Sequence, residues 1–297
     1  MLSGFGSRGP INEERAYSFY IDGERADGYR DGTDLNRHNY SAALSYQPSE
    51  RLKATFSVDG GINDAPRYFG TPLFNGKLDK KLLRSNFNVK DSVVSYDDRI
   101  WRAKFEAQLS DDISLTSETY HITTDRHWRN AEAASYNSAS EIKRGDFLEI
   151  LHDQTQTGSR VDLAINGKLG TLNSHTTVGI DWYKTRLLHG NNSPYRSPVS
   201  TVNPYYPDLG YFVTYDPTND KRRAELETHA LFIENALDLS KSLKLITGFR
   251  HEEIALDSKT LATRLSKYVN YHPTTGRVGI VWQATDTLAV YGQVANG

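Results

Sequence analysis

The chain has 297 residues, no cysteine and a net charge of −2, which excludes disulfides, thiolate zinc centres and cysteine nucleophiles and offers no basic surface to nucleic acid. Only 37% of its residues are hydrophobic. No run approaches the ~18 consecutive apolar residues of a membrane helix, whereas a β-barrel needs only every second strand residue to be apolar.

Residues 1–14 lack a basic stretch followed by an apolar one, so they are not a secretory signal, and they read as an irregular N-terminal segment. From residue 15 to 297 hydrophobicity alternates with period two. That pattern gives about eleven strands, each with one apolar face. The first covers 15–22. The second covers 39–47 and puts Tyr40, Ala42, Leu44 and Tyr46 on one face. After a tight turn the third, 51–59, sets Leu52, Ala54, Phe56 and Val58 against Lys53, Thr55, Ser57 and Asp59. A long loop follows over 61–96. The fourth strand, 98–109, is the clearest: Trp101, Ala103, Phe105, Ala107 and Leu109 alternate with Arg102, Lys104, Glu106 and Gln108. In the fifth, 113–123, Tyr120 and Ile122 fall opposite Ile113 and Leu115, a mismatch that a β-bulge would correct.

A loop near 129–144 leads to a long sixth strand, 146–169, with Val161, Leu163 and Ile165 on one face. The seventh, 175–185, presents Val178, Ile180 and Trp182. The longest loop, 188–221, holds five of the ten prolines. The eighth strand is 224–237, and the ninth presents Leu243, Leu245, Thr247 and Phe249. A loop containing TLATRLSKY precedes the tenth, with Val278, Ile280 and Trp282, and the eleventh, with Leu288, Val290 and Val294.

Connections after the even-numbered strands are short, and those after the third, fifth, seventh and ninth are long. An outer-membrane barrel sorts its connections this way, with short periplasmic turns and long extracellular loops. A soluble β-rich binding domain is the alternative, and it predicts that the apolar faces enclose one buried core. A passive porin is a second alternative.

No enzyme motif is present: there is no G-x-S-x-G, no H-E-x-x-H and no G-x-x-x-x-G-K-[ST]. The glycine-rich GFGSRG near the N-terminus has no strand before it or helix after it, and the nine histidines are scattered without metal-ligand spacing. His127 and His189 read as surface residues. Glu252 and Glu253 are adjacent on one strand, face opposite sides and cannot form a catalytic pair.

Four segments carry a family resemblance. In APRYFGTPLFNGKLDKKLLRSNFNVKDS the residues are Tyr68, Gly70, Pro72, Leu73, Gly76, Asn86, Phe87, Asn88, Val89 and Asp91. GKLGTLNSHTTVGIDWYKTR supplies His175, Gly179, Asp181 and Trp182. HALFIENALDLSKSLKLITGFRHEEI supplies Phe232, Glu234, Asn235, Gly248 and Arg250, with His251 and Glu252 where a Tyr-Asp pair is usual. TGRVGIVWQATDTLAVYGQVANG resembles the strand pair that follows. In this order they resemble the TonB-dependent siderophore receptors of the bacterial outer membrane.

The resemblance implies an all-β fold, an antiparallel meander forming part of a 22-stranded transmembrane barrel whose lumen holds a plug. It implies a receptor for ferric siderophores that works with the TonB complex and sits in outer-membrane lipid. Iron is carried within the siderophore, so no cofactor is expected. The plug and the TonB-contacting box are expected to lie outside this chain, which on its own is then expected to be inactive in transport. Ferric chelates are often anionic, so ligand contact calls for aromatic surface and cations on the extracellular loops. The candidates are Tyr68 and Phe69 in the first long loop, Arg126, Trp128 and Arg129 at the top of the fifth strand, and Tyr195, Tyr205, Tyr206, Tyr211 and Phe212 in the longest loop. Tyr40, Tyr46, Trp101, Trp182 and Trp282 are expected to face lipid. Arg102, Lys104, Glu106 and Arg250 are expected to face the lumen.

Overall fold

In the computed structural model, which describes residues 2–296, every alternating segment is a strand. The order is β1 (Leu2–Pro10), β2 (Arg15–Ala26), β3 (Leu35–Ser49), β4 (Leu52–Asp64), β5 (Val93–Gln108), β6 (Ile113–Ser138), β7 (Glu141–Leu169), β8 (Leu172–Asn191), β9 (Ser200–Val202), β10 (Asn219–Asp238), β11 (Leu243–Thr260), β12 (Leu265–Tyr271), β13 (Thr274–Thr285) and β14 (Leu288–Ala295). They form one 14-stranded sheet, an antiparallel meander with β9 set beside β7 and β12 beside β11. A 3-10 turn at Lys80–Leu82 is the helix among the described residues. Among those residues β1 pairs only with β2, and β14 only with β13.

Four expectations change. Residues 2–10, read as irregular, pair in register with β2 from Leu2 opposite Glu24 to Pro10 opposite Ala16. The glycines there hide the alternation, although Phe5 and Ile21 still share a face. The loop placed at 129–144 is instead the upper part of a β6–β7 hairpin that turns at Ser138 and Glu141. The segment after β11 is a second hairpin, β11–β12. No bulge corrects Tyr120, because β6 runs in one register against β5 from Val93–Arg129 to Gln108–Ser114. Tyr120 instead lies on the polar face over Gly158, where an added Cβ would strike the Tyr120 ring. A glycine opposite a ring is the packing that the alternation rule cannot see.

Residues directly opposite on paired strands share a face, so the register sorts the whole sheet. Trp101, His121 and Thr157 share one face, as do Val161, Ile180 and Leu231, and Ile233, Phe249 and Leu245. This face is apolar and open. Phe56 is 54% exposed, Ile180 58%, Leu231 57% and Val278 55%. A soluble domain would have buried these side chains, so the one-core alternative fails. Tyr40, Tyr46, Trp101, Trp182 and Trp282 all lie on this face, which is suited to hydrocarbon. The other face carries ion pairs: Arg102–Asp59 at 2.8 Å, Lys104–Glu106 at 2.9 Å, Arg250–Glu252 at 2.8 Å and Arg250–Asp181 at 3.2 Å.

The tight turns fall at one end, at 10–15, 49–52, 108–113, 169–172, 238–243 and 285–288. At the other end β6 and β7 run for 26 and 29 residues, far beyond the ~9–11 needed to cross a bilayer. Their extensions support the chain's buried apolar clusters. One joins Leu82, Phe87, Ile142 and Val202; the other joins Val89, Ala131 and Phe147, with Phe212 against it. Buried polar side chains bind these clusters to the hairpin. Asn88 donates to Asn130 Oδ1 at 2.8 Å and accepts from the Val89 and Ala131 amides, each at 2.9 Å. Asn192, fully buried, donates to the Phe147 carbonyl at 2.8 Å and accepts from the Glu149 amide at 2.7 Å. Arg144, 6% exposed, donates to the Leu209 carbonyl at 2.7 Å and to Ser200 Oγ at 2.8 Å.

Two predictions follow from the two faces and the buried asparagine. Ile233→Arg, in the middle of the apolar band, should destabilise the chain in phospholipid vesicles by about 2–4 kcal/mol. Ser41→Arg, on the polar face opposite Asp59, should leave the urea midpoint nearly unchanged; equal shifts would contradict the assignment of faces. Asn88→Leu should leave the Val89 and Ala131 amides without their acceptor, at about 1–3 kcal/mol each. Hydrogen exchange should then quicken at those amides while the β2–β4 amides keep their protection.

Candidate functional site

The site lies at the upper end of the polar face, where the loops 65–92 and 192–218 meet β5, β6 and β7. Arg102 and Tyr96 are both even-numbered residues of β5, so Tyr96 extends the polar face upward, and Arg126 lies directly opposite it on β6. The Arg126 guanidinium sits 5.3 Å from the Tyr96 ring centroid and 4.8 Å from that of Trp128. Phe69 reaches Trp128 edge-on at 5.7 Å. The Trp128 indole donates to Glu132. Arg126 Nε is buried and has no hydrogen-bond partner. The cluster therefore joins three aromatic rings to a cation with hydrogen-bonding capacity to spare, which suits a planar or aromatic anion.

The other candidates are dispersed. Tyr68 stacks on Arg30 at 4.1 Å and shares a 2.7 Å hydrogen bond with Thr71. Arg129, next to Trp128 and so on the opposite side of β6, donates to the Asp91 carbonyl at 2.8 Å and approaches the Asp91 carboxylate at 3.4 Å. Phe212 packs on Phe147 and donates its amide to Asp91 Oδ1. Arg129 and Phe212 thus hold the loops together. Tyr195 adopts φ +66° in a turn where its amide donates to the Asn192 carbonyl. Tyr205 donates to Asp79 Oδ2 at 2.8 Å, Lys90 faces Tyr211, and Tyr206 is 86% exposed.

Local electrostatics fixes these loop ends. The Lys81 amide, and after it the Tyr205 hydroxyl, hold the Asp79 carboxyl below the usual carboxylate range. Asp79 in turn pushes the Tyr205 phenol up. Arg196 holds Asp216 low through a contact at 2.6 Å, and Lys90 does the same for Asp208 at 3.0 Å.

Of the residues singled out in the sequence, the structure brings Phe69, Arg126 and Trp128 together; Tyr96 and Arg30, which join them and Tyr68, were missed. The parity of Tyr96 with Arg102 was the available signal. His127, read as a surface residue, contacts Glu149 at 2.8 Å. His189, read the same way, is half-buried and hydrogen-bonded to His152.

Comparison with solved structures finds the same fold in siderophore receptors. The siderophore receptor PiuA from Acinetobacter baumannii matches with a TM-score of 0.80 at 16% identity over 98% of this chain and 46% of its own. BauA, the ferric preacinetobactin receptor of the same organism, gives 0.82 at 15% identity over 98% and 44%. The ferripyoverdine receptor of the outer membrane of Pseudomonas aeruginosa gives 0.83 at 14% identity over 98% and 40%. The chain spans under half the length of each of these. Comparison with curated proteins returns no match. The family described as TonB dependent receptor-like, beta-barrel, matches residues 45–297, and the chain belongs to that family.

Proposed function

We propose that the chain forms part of an outer-membrane receptor that captures ferric siderophores, with transport driven by the TonB complex. The observation that carries this reading is the Arg126 cluster: a guanidinium with an unused donor, held between Tyr96 and Trp128, with Phe69 beside it. Iron travels inside its chelate, so the protein need only offer ring surface, donors and positive charge. Membership of the receptor family and the likeness in fold to receptors named for siderophores support the same reading. Tyr206, exposed in the loop 192–218, and Tyr68, paired with Arg30, are proposed as additional contacts. A passive porin is the weaker reading, because the end of the sheet away from the tight turns carries a packed core of its own.

The test is a titration of ferric chelates into the chain in phospholipid vesicles, followed by tryptophan fluorescence. Saturable quenching is expected. Arg126→Gln should weaken binding of an anionic chelate by about 1.5–3 kcal/mol, the range for a hydrogen bond to a charged group, and Trp128→Ala should weaken both anionic and neutral chelates. Absence of saturable binding, combined with solute leakage from the vesicles, would replace the receptor with the porin.

A further inference from the structure

From the Arg126 cluster the polar face continues sideways as a row whose other members, His152, His189 and Arg222, chelate capture leaves unused. Directly opposite one another across five strands stand Tyr96 on β5, Arg126 on β6, His152 on β7, His189 on β8 and Arg222 on β10. With strands ~4.8 Å apart, the two arginines are about 14 Å from each other along the row. Neither forms an ion pair with the described residues.

Between the arginines, His152 Nε2 and His189 Nδ1 lie 2.7 Å apart, with ring centroids at 4.9 Å. The Asn191 amide nitrogen lies 2.9 Å from His189 Nε2. It can only donate, so that ring nitrogen accepts and His189 carries its proton on Nδ1. The His189 Nδ1–H then donates to His152 Nε2, and both rings are neutral. Their position lies above the apolar band, five residues up β7 from Thr157, which shares a rung with Trp101 and His121. Burial first holds both rings below the ordinary histidine range; after it His189 and then Arg126 lower His152, and Arg222 lowers His189. The charged and titratable groups facing the pair are Tyr96 and Asp98 from β5, Arg126 and Glu132 from β6, and Arg222 from β10. Glu132 is engaged by the Trp128 indole. From β11 the row meets Thr260, which is uncharged. Asp125 and Asp153 belong to the opposite face of the sheet.

We propose that this row is a proton-linked anion site: an anionic group lies along it between Arg126 and Arg222, and the histidine pair takes up one proton as the anion binds. The identity of the cargo, a carboxylate- or phenolate-bearing chelate, rests on the receptor reading; the chemistry of the row does not. An anion offsets the positive fields of Arg126 and Arg222, which add to burial in keeping the pair neutral. The proton enters from solvent at His189 Nε2, displacing the Asn191 amide, and the hydrogen bond between the rings becomes charge-assisted. The bound pair therefore titrates higher than the free pair. Affinity is greatest at low pH and falls, by up to about tenfold per pH unit for one proton, as pH rises between the two values.

The test uses inorganic sulfate, whose charge is constant over the range, and the full chain in detergent micelles. Calorimetry in two buffers of different ionisation enthalpy counts the protons. Uptake of about one proton per sulfate is expected, with tighter binding at about pH 6 than at about pH 8. The double variant His152→Gln with His189→Gln should bind sulfate with no uptake and a flat pH profile. Arg222→Gln should weaken binding at both pH values. No sulfate binding to the unaltered chain, or uptake that persists in the double variant, would overturn the proposal. The neutral chelate ferric tris(acetohydroxamate) separates the two readings. If it fails to bind while sulfate-linked uptake stands, the receptor reading fails and the row remains.

Discussion

Backbone hydrogen bonding in hydrocarbon is the constraint on which this structure depends. A strand in a bilayer has no water to satisfy its amides and carbonyls, so each must pair with a neighbour along its whole length. The registers of β2 through β8 are that requirement met, with shifts only beside the turns, at Tyr46/Ser49 and Tyr136/Ser138. Register then fixes chemistry, because a slip of one residue would exchange the apolar and charged faces of a strand. The pairing of Phe105 with Ser117 and of Lys104 with Glu118 thus holds one side fit for lipid and the other fit for ions.

The constraint lapses above the band, and a different architecture takes over. There the chain buries Leu82, Phe87, Ile142 and Val202 as a small water-soluble protein would. That core is too small to hold two long loops by apolar contact alone. Asn88, Asn130, Asn192 and Arg144 supply the remainder by hydrogen-bonding backbone that no strand partner reaches. The NFNVKD stretch is therefore a structural fastener. Its asparagines and Asp91 bind the two loops to β6, and that places Phe69 beside Trp128.

Much of the sheet was legible because one face is uniformly apolar. β5 and β8 could be read almost residue by residue from Trp101 to Leu109 and from Val178 to Trp182. Legibility ended where both faces of a strand are polar or packed. The upper parts of β6 and β7 have no lipid side to impose alternation, so they resembled a loop. β1 was hidden by Gly4, Gly6 and Gly9, which carry no side chain to report a face. At the site, the cation and its aromatic neighbours on β6 were visible as residue types. The row joining Tyr96 to His152 and His189 was not, because it is assembled across strands separated by loops of unrelated length.

The long β6–β7 hairpin has a mechanical consequence. It rises from the bilayer as a paired ribbon, continuous from Ile113–Ile165 to Tyr136–Ile142, and bending it would break many ladder bonds at once. The loops 65–92 and 192–218 are attached to it by buried side chains and by the short β9–β7 ladder, Ser200–Val202 against Ile142–Arg144. The hairpin therefore behaves as a fixed post and the loops as leaves hung from it. Anything that loosens the loops must first break the hydrogen bonds of Asn88 and Asn192, whereas the wall carrying Arg126 and the histidine pair is fixed by the ladder itself.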